Sequence, residues 1–92
     1  MTKNDQAASY LRALGHPIRL SIAKELLKGP KSVGEVERTL NIGQANTSQH
    51  LTLLRINGIV DWIRKGNIKE YSLMDPKRIR IILNAIEIDM GK

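Results

Sequence analysis

The 92-residue chain has no cysteine and no phenylalanine, and only one tryptophan and two tyrosines. Without thiols there is no disulfide framework, no thiolate metal site and no cysteine nucleophile. With so few aromatics the core has to be aliphatic. No apolar run approaches the roughly 18 residues that a membrane-spanning helix needs. The opening MTKNDQAAS lacks the apolar segment of a secretory signal, so a cytoplasmic protein is expected. Acidic residues are also scarce, with nine Asp plus Glu against fifteen Lys plus Arg and a formal charge of +6. That balance points to a polyanionic partner, though only weakly by itself.

What is present suffices for one domain spanning residues 1–92, since 41% of residues are hydrophobic. No internal repeat, low-complexity tract or linker interrupts it, and Gly or Pro closes each short periodic segment. Asp5 to Leu14 reads as a first helix, with Ala7, Leu11 and Leu14 at helical spacing and Gly15 as a stop. Pro17 suits a first helical position, and Ile18, Ile22 and Leu26 follow along one face until Gly29-Pro30. Ser32-Val33-Gly34-Glu35 has the capping-box pattern and opens a short helix with Val33, Val36 and Leu40 as its apolar edge. Only Asn41, Ile42 and Gly43 separate it from a helix running from about Gln44 to Asn57-Gly58, the spacing of a helix-turn-helix corner.

The period then changes from 3.6 to 2. Val60 to Ile63 and Ile68 to Leu73 read as two strands around Arg64-Lys65-Gly66-Asn67, whose Gly and Asn tolerate a hairpin turn. Asp75-Pro76 opens a final helix to about Asp89. Four helices, a small β-hairpin and a fifth helix make a mainly α fold, the winged helix-turn-helix plan.

The segment from Gln44 to Gly58 separates into two faces. Thr47, Leu51 and Leu54 share the side that should pack on the preceding helices. Opposite lie Gln44, Ala45, Ser48, Gln49 and Thr52, with Arg55 at the edge and Asn46 flanking, and none of them is acidic. Gln and Asn can bond bidentately to adenine, Ser and Thr reach phosphates or base edges, and a helix N-terminus favours a phosphate. The plain alternative is a solvated surface face, but such faces elsewhere in this chain carry Lys and Glu. His50 lies at the boundary, as a base or phosphate contact or as a histidine packed at the core edge. A metal role is disfavoured for it, as for His16, because no second ligand lies nearby in sequence. The hairpin brings Arg64, Lys65, Asn67 and Lys69 together, suited to lie along a phosphate backbone without reading sequence. Ordinary soluble turn chemistry is the alternative there.

The last helix is apolar on two sides. Ile79, Ile82, Leu83, Ile86 and Met90 form one stripe, while Ile81 and Ile88 lie about 180° away with Ala85 close to them. The second stripe is exposed unless something covers it, and a second copy of the chain is the simplest cover, with Tyr10, Leu11 and Leu14 of the first helix beside it; a terminal helix with scattered surface isoleucines is the alternative. Residues 5–15 and 75–90 are thus the expected dimerisation helices. An enzyme is not expected: no Ser/His/Asp set, phosphate-cradling loop or metal cluster appears, and Asp75, Glu87 and Asp89 read as a cap and two solvated acids.

Leu14-Gly15-His16-Pro17-Ile18-Arg19-Leu20, Gln44-Ala45-Asn46-Thr47-Ser48-Gln49-His50-Leu51, Leu54-Arg55 and Gly58-Ile59-Val60 together resemble the arsenic-repressor (ArsR/SmtB-type) family of winged-helix regulators. Arg64-Lys65-Gly66 leading to Tyr71-Ser72-Leu73 fits the same pattern. The resemblance, over about residues 8 to 74, implies a homodimer that binds a pseudo-palindromic duplex DNA site, usually as a repressor. It also implies where effectors would bind, and those sites are missing. Metal-sensing members carry Cys ligands on the helix matching Val33–Leu40, and persulfide-sensing members need two cysteines; this chain has none. In the zinc pattern of the last helix Asp75 is kept, but the other positions fall on Lys77, Ile88 and Gly91, which cannot ligate. No cofactor or metal is therefore expected, and the effector is unknown. A winged helix serving protein–protein contacts, or a nonspecific architectural DNA binder, are the alternative functions.

Overall fold

Side-chain caps mark most of the helix starts in the computed structural model, which describes residues 1–87. Thr2 accepts the Asp5 N–H at 3.0 Å while Asp5 accepts the Thr2 N–H at 3.1 Å. This box starts α1 (Lys3–Leu14) two residues before the Asp5 expected from apolar spacing alone. His16 caps α2 (Pro17–Leu26), its Nδ1 accepting the Ile18 N–H at 3.1 Å, with Pro17 in the first turn. The Ser32–Glu35 box closes at 3.2 and 2.9 Å to start α3 (Val33–Leu40), with Ser32 in the strand β1 (Lys31–Ser32) just before it. Asn41 stops α3 in the left-handed conformation at φ 54° and hands its N–H to Glu37 O. Three residues later α4 (Gln44–Ile56) begins.

The wing consists of β2 (Val60–Lys65) and β3 (Ile68–Leu73), paired antiparallel from Val60↔Leu73 to Lys65↔Ile68. The turn is therefore the two residues Gly66 and Asn67. Gly66 takes φ 65°, while Asn67 keeps an ordinary φ, so only one of the two uses the left-handed freedom expected of both. The expected hairpin is in fact a three-stranded sheet in the order β1-β3-β2, because Lys31 and Ser32 pair with Tyr71 and Glu70. Two residues carry no detectable periodicity. Moreover, an N-cap residue is already extended (Ser32 has φ −76°, ψ 163°), so this strand merges into the cap of α3. The sheet leads to α5 (Pro76–Glu87), where Asp75 accepts the Arg78 N–H at 3.0 Å.

Between α2, α3, α4 and the sheet lies an aliphatic core with a single aromatic, Tyr71. Ile22, Val36, Leu51, Leu54, Ile59, Val60 and Ile79 are buried to within 1%. Leu14 belongs to this core at 4% exposure. That corrects its expected place on a dimer surface: helix α1 turns its Leu14 side inward against its own chain and its Leu11 side outward. On α5, Ile79 and Leu83 are buried, but Ile86 is half-exposed rather than part of a core stripe. Ile88 and Met90, assigned to the two stripes, lie outside the described residues.

Candidate nucleic-acid interface

Helix α4 sits in the fold as its sequence pattern requires. Thr47, Leu51 and Leu54 are fully buried, and the Thr47 hydroxyl is satisfied by donating to Gly43 O at 2.9 Å. Fixing that side inward turns Gln44, Ala45, Asn46, Ser48, Gln49, Thr52 and Arg55 out to solvent together. The N-terminus of α4 also differs from the others. Thr2, His16, Ser32 and Asp75 each cap a helix with a side chain, whereas Gly43 provides no side-chain cap and the first turn of α4 holds no acid. Its leading N–H groups are left without a side-chain acceptor beside a face of neutral hydrogen-bonding groups.

Ala45, Ser48, Gln49, His50, Thr52 and Leu53 line one shallow hollow on that side. Leu53, 43% exposed, was not expected there. Its position four residues after Gln49 was the available signal, overlooked because a leucine reads as core. The Thr52 hydroxyl donates back to Ser48 O at 2.8 Å, so its proton is used within the helix and its oxygen remains an acceptor.

His50 is half-buried and its ring is engaged. Arg19 Nη1 approaches its Nδ1 at 3.1 Å, and the His16 ring lies 4.6 Å away between centroids. Burial, then His16, then the Arg19 cation hold the His50 imidazolium pKa below its ordinary value. Neither Arg19 nor His16 was expected at this site. The Arg19–His50 contact joins residues 31 apart, for which no local spacing gives a sign.

The wing cations are less free than their sequence suggests. Arg55 Nε, at the end of α4, donates to Asp61 Oδ1 at 3.1 Å, and its guanidinium lies 5.4 Å from the Trp62 ring centre. Asp61 also accepts the Trp62 N–H at 2.8 Å; that bond first, and Arg55 second, keep its pKa below the usual carboxylate value. Lys65 pairs with Glu70 at 3.0 Å, and Lys69 Nζ stands 4.4 Å over Trp62. Arg64 has no ion-pair partner among the described residues and faces Lys69 directly across the strands. Like charges placed opposite one another are unfavourable in a sheet, so an anion lying over Arg64 and Lys69 would relieve them. Asn67 sits exposed at the tip between the strands.

On the far side, α1, the end of α4 and α5 border an open groove of about 910 Å³ that includes Ala7, Tyr10, Leu11, Ile56 and Ile82. Tyr10 lies half-buried under the Arg78 guanidinium, 5.6 Å from the ring centre. Leu11 and Ile81 are each 59% exposed, and Ala85 is exposed; Ile88, assigned to the same face, falls outside the described residues. Among the described residues no three His, Cys, Asp or Glu gather into a metal-binding group, and no helix is long and apolar enough to cross a membrane.

The family described as "Bacterial regulatory protein, arsR family" matches residues 16–61, from the cap of α2 into β2. The chain is 39% identical over 94 aligned positions to a "Biofilm growth-associated repressor" of Xylella fastidiosa, covering 94% of this chain and 80% of that protein. The solved structure of "the transcriptional repressor BigR from Xylella fastidiosa" superposes with a TM-score of 0.81 at 34% identity, with both chains fully covered. "HlyU from Vibrio cholerae N16961" superposes with a TM-score of 0.82 at 32% identity, covering 97% of this chain and all of that one.

Proposed function

The chain belongs to the arsR family of bacterial regulatory proteins, and from that membership we propose that it is a transcriptional repressor that binds a pseudo-palindromic duplex site as a homodimer. The observation that carries this reading is α4: an uncapped, acid-free N-terminus continuous with an exposed row of Gln44, Asn46, Ser48 and Gln49. Those amides and hydroxyls have the donor and acceptor sets that base edges in a major groove match. Arg64, Lys65 and Lys69 on the wing, with Arg55 at the helix end, supply phosphate attraction that positions the protein without reading bases. Asn67 and Ala45 add a polar tip and a small apolar contact.

Dimerisation is supported by the exposed apolar residues of α1 and α5. Leu11, Ile81 and Ala85, with Tyr10 at the edge, leave an uncovered strip beside the open groove, and a second copy covers it by the same residues in reverse. Two α4 helices then address one DNA face about one helical turn apart.

Anisotropy of labelled duplexes taken from the protein's own promoter region tests the reading. Binding should be tighter than to random duplex and weaken steeply with salt. Equal affinity for both duplexes would indicate an architectural binder. No binding at low salt would indicate a protein–protein module. Sedimentation in the same buffer reads the dimer directly.

A further inference from the structure

Arg19 stands at a junction of three helices. It reaches from the first turn of α2 to Ala13 O, one of the carbonyls left unpaired at the end of α1, through Nε. With Nη1 it reaches His50 on α4 at 3.1 Å. A guanidinium can only donate, so His50 Nδ1 must be the acceptor and carry no proton. The neutral ring then bears its hydrogen on Nε2. His16 behaves alike, because its Nδ1 accepts the Ile18 N–H at 3.1 Å. Two imidazoles 4.6 Å apart beside an arginine thus share one protonation pattern. His16 and Arg19 are the charged or titratable groups acting on His50; no acid of α3 or β2 counters them, and α4 carries no charged residue within a turn of it, from Asn46 to Leu54.

His50 also lines the hollow it shares with Ser48, Gln49 and Thr52. We propose that Arg19 is a positioning residue for DNA reading: it fixes the His50 tautomer, with Nε2–H as its single donor for a phosphate oxygen or a base-edge acceptor. This rests on the reading of α4 as the DNA-contacting helix. A histidine free to change tautomer would offer a donor or an acceptor at the same place and discriminate poorly. The rigid fork of Arg19, anchored on Ala13 O, removes that choice. It also makes the end of α1, a helix of the proposed dimer face, the reference point from which the reading side chain is aimed.

Long-range ¹H–¹⁵N correlation spectra of the imidazoles test the first half without DNA. Wild type should show His50 as the Nε2–H tautomer. Arg19→Met should mix the tautomers and move the His50 titration upward, since a cation has left. A His50 Nδ1–H tautomer, or a titration indifferent to Arg19→Met, overturns the proposal. The second half is read by competition between a selected duplex and a scrambled one. Arg19→Met should reduce the preference about 3- to 10-fold, the worth of one hydrogen bond. In a His50→Leu background the same change should add nothing, because Arg19 acts through His50. An equal loss in both backgrounds overturns the proposal in favour of a merely structural arginine. Arg19→Lys keeps the charge but loses the rigid two-pronged fork; if Arg19→Met does not fold, this variant should show the tautomer mixing and the loss of preference at smaller amplitude, with the titration little moved. A wild type with no preference between duplexes overturns the repressor reading and this inference together. A clear preference alongside the wrong tautomer overturns this inference alone.

Discussion

Asp61→Asn should make the protein a stronger and more salt-sensitive DNA binder at little cost in stability. Asp61 pairs with a residue of the proposed interface: its Oδ1 holds Arg55 at 3.1 Å with both side chains about half exposed, at 55% and 53%. A pair so exposed contributes about 0–1 kcal/mol, and a domain of this size loses about 5 °C in Tm per kcal/mol. The melting temperature should therefore fall by no more than about 5 °C. Asparagine keeps an oxygen to accept the Trp62 N–H, so β2 stays in register. Binding changes by more. Arg55 no longer has an internal partner to leave before meeting a phosphate, and one negative charge is gone from the surface facing DNA. One added phosphate contact steepens the slope of log K against log salt by about 0.9, which over a fourfold rise in salt is an extra loss of about 3.5-fold. Anisotropy titrations of one labelled duplex at several salt concentrations, on wild type and variant, measure both quantities. An unchanged slope together with weaker binding would refute the reasoning. It would mean that Asp61 serves to aim Arg55 rather than to neutralise it.

Leu51, fully buried between α4 and its neighbours, should cost about 2–5 kcal/mol when changed to alanine, seen as a drop of about 10–25 °C in thermal unfolding by circular dichroism. Gly66→Ala has open space around its new Cβ but must hold φ 65°, so a loss of about 1 kcal/mol in urea unfolding should arise from backbone strain alone; Gly66→Asn should lose less. The pKa of His50 is lowered in the folded chain, so the unfolded chain binds more protons just below the ordinary histidine value. Stability should accordingly fall as pH drops through about 6.5 and below, and urea midpoints from about pH 7.5 to about pH 5 should show that slope shrinking in His50→Gln.

Much of the architecture could be read residue by residue because its causes are local. Pro17 after His16, the Ser32–Glu35 box, Asn41 in the corner, Gly66 in the turn and Asp75 before Pro76 each act within four residues of themselves, and the structure uses every one. The inward face of α4 was legible for the same reason: a helix repeats its faces at a known interval, so Thr47, Leu51 and Leu54 declare the core and the polar side follows. The start of α1 was missed only because the box at Thr2 and Asp5 precedes the first apolar repeat.

Other features depended on segments distant in the chain meeting. Strand β1 exists because β3 passes beside two residues that would otherwise be only a helix cap. Leu14 and Leu11 both satisfy the periodicity of α1, but only the packing of α1 decides that the first is core and the second open. The composition declared a surplus of cations, yet their availability was settled by the fold, which brings Asp61 to Arg55, Glu70 to Lys65 and the Trp62 ring under Lys69. The absence of cysteine and the nearly uncharged outer face of α4 were properties of the sequence alone. The junction of Arg19, His50 and His16 belongs to the tertiary structure, because Arg19 and His50, 31 residues apart, can meet only after the core has placed α2 against α4.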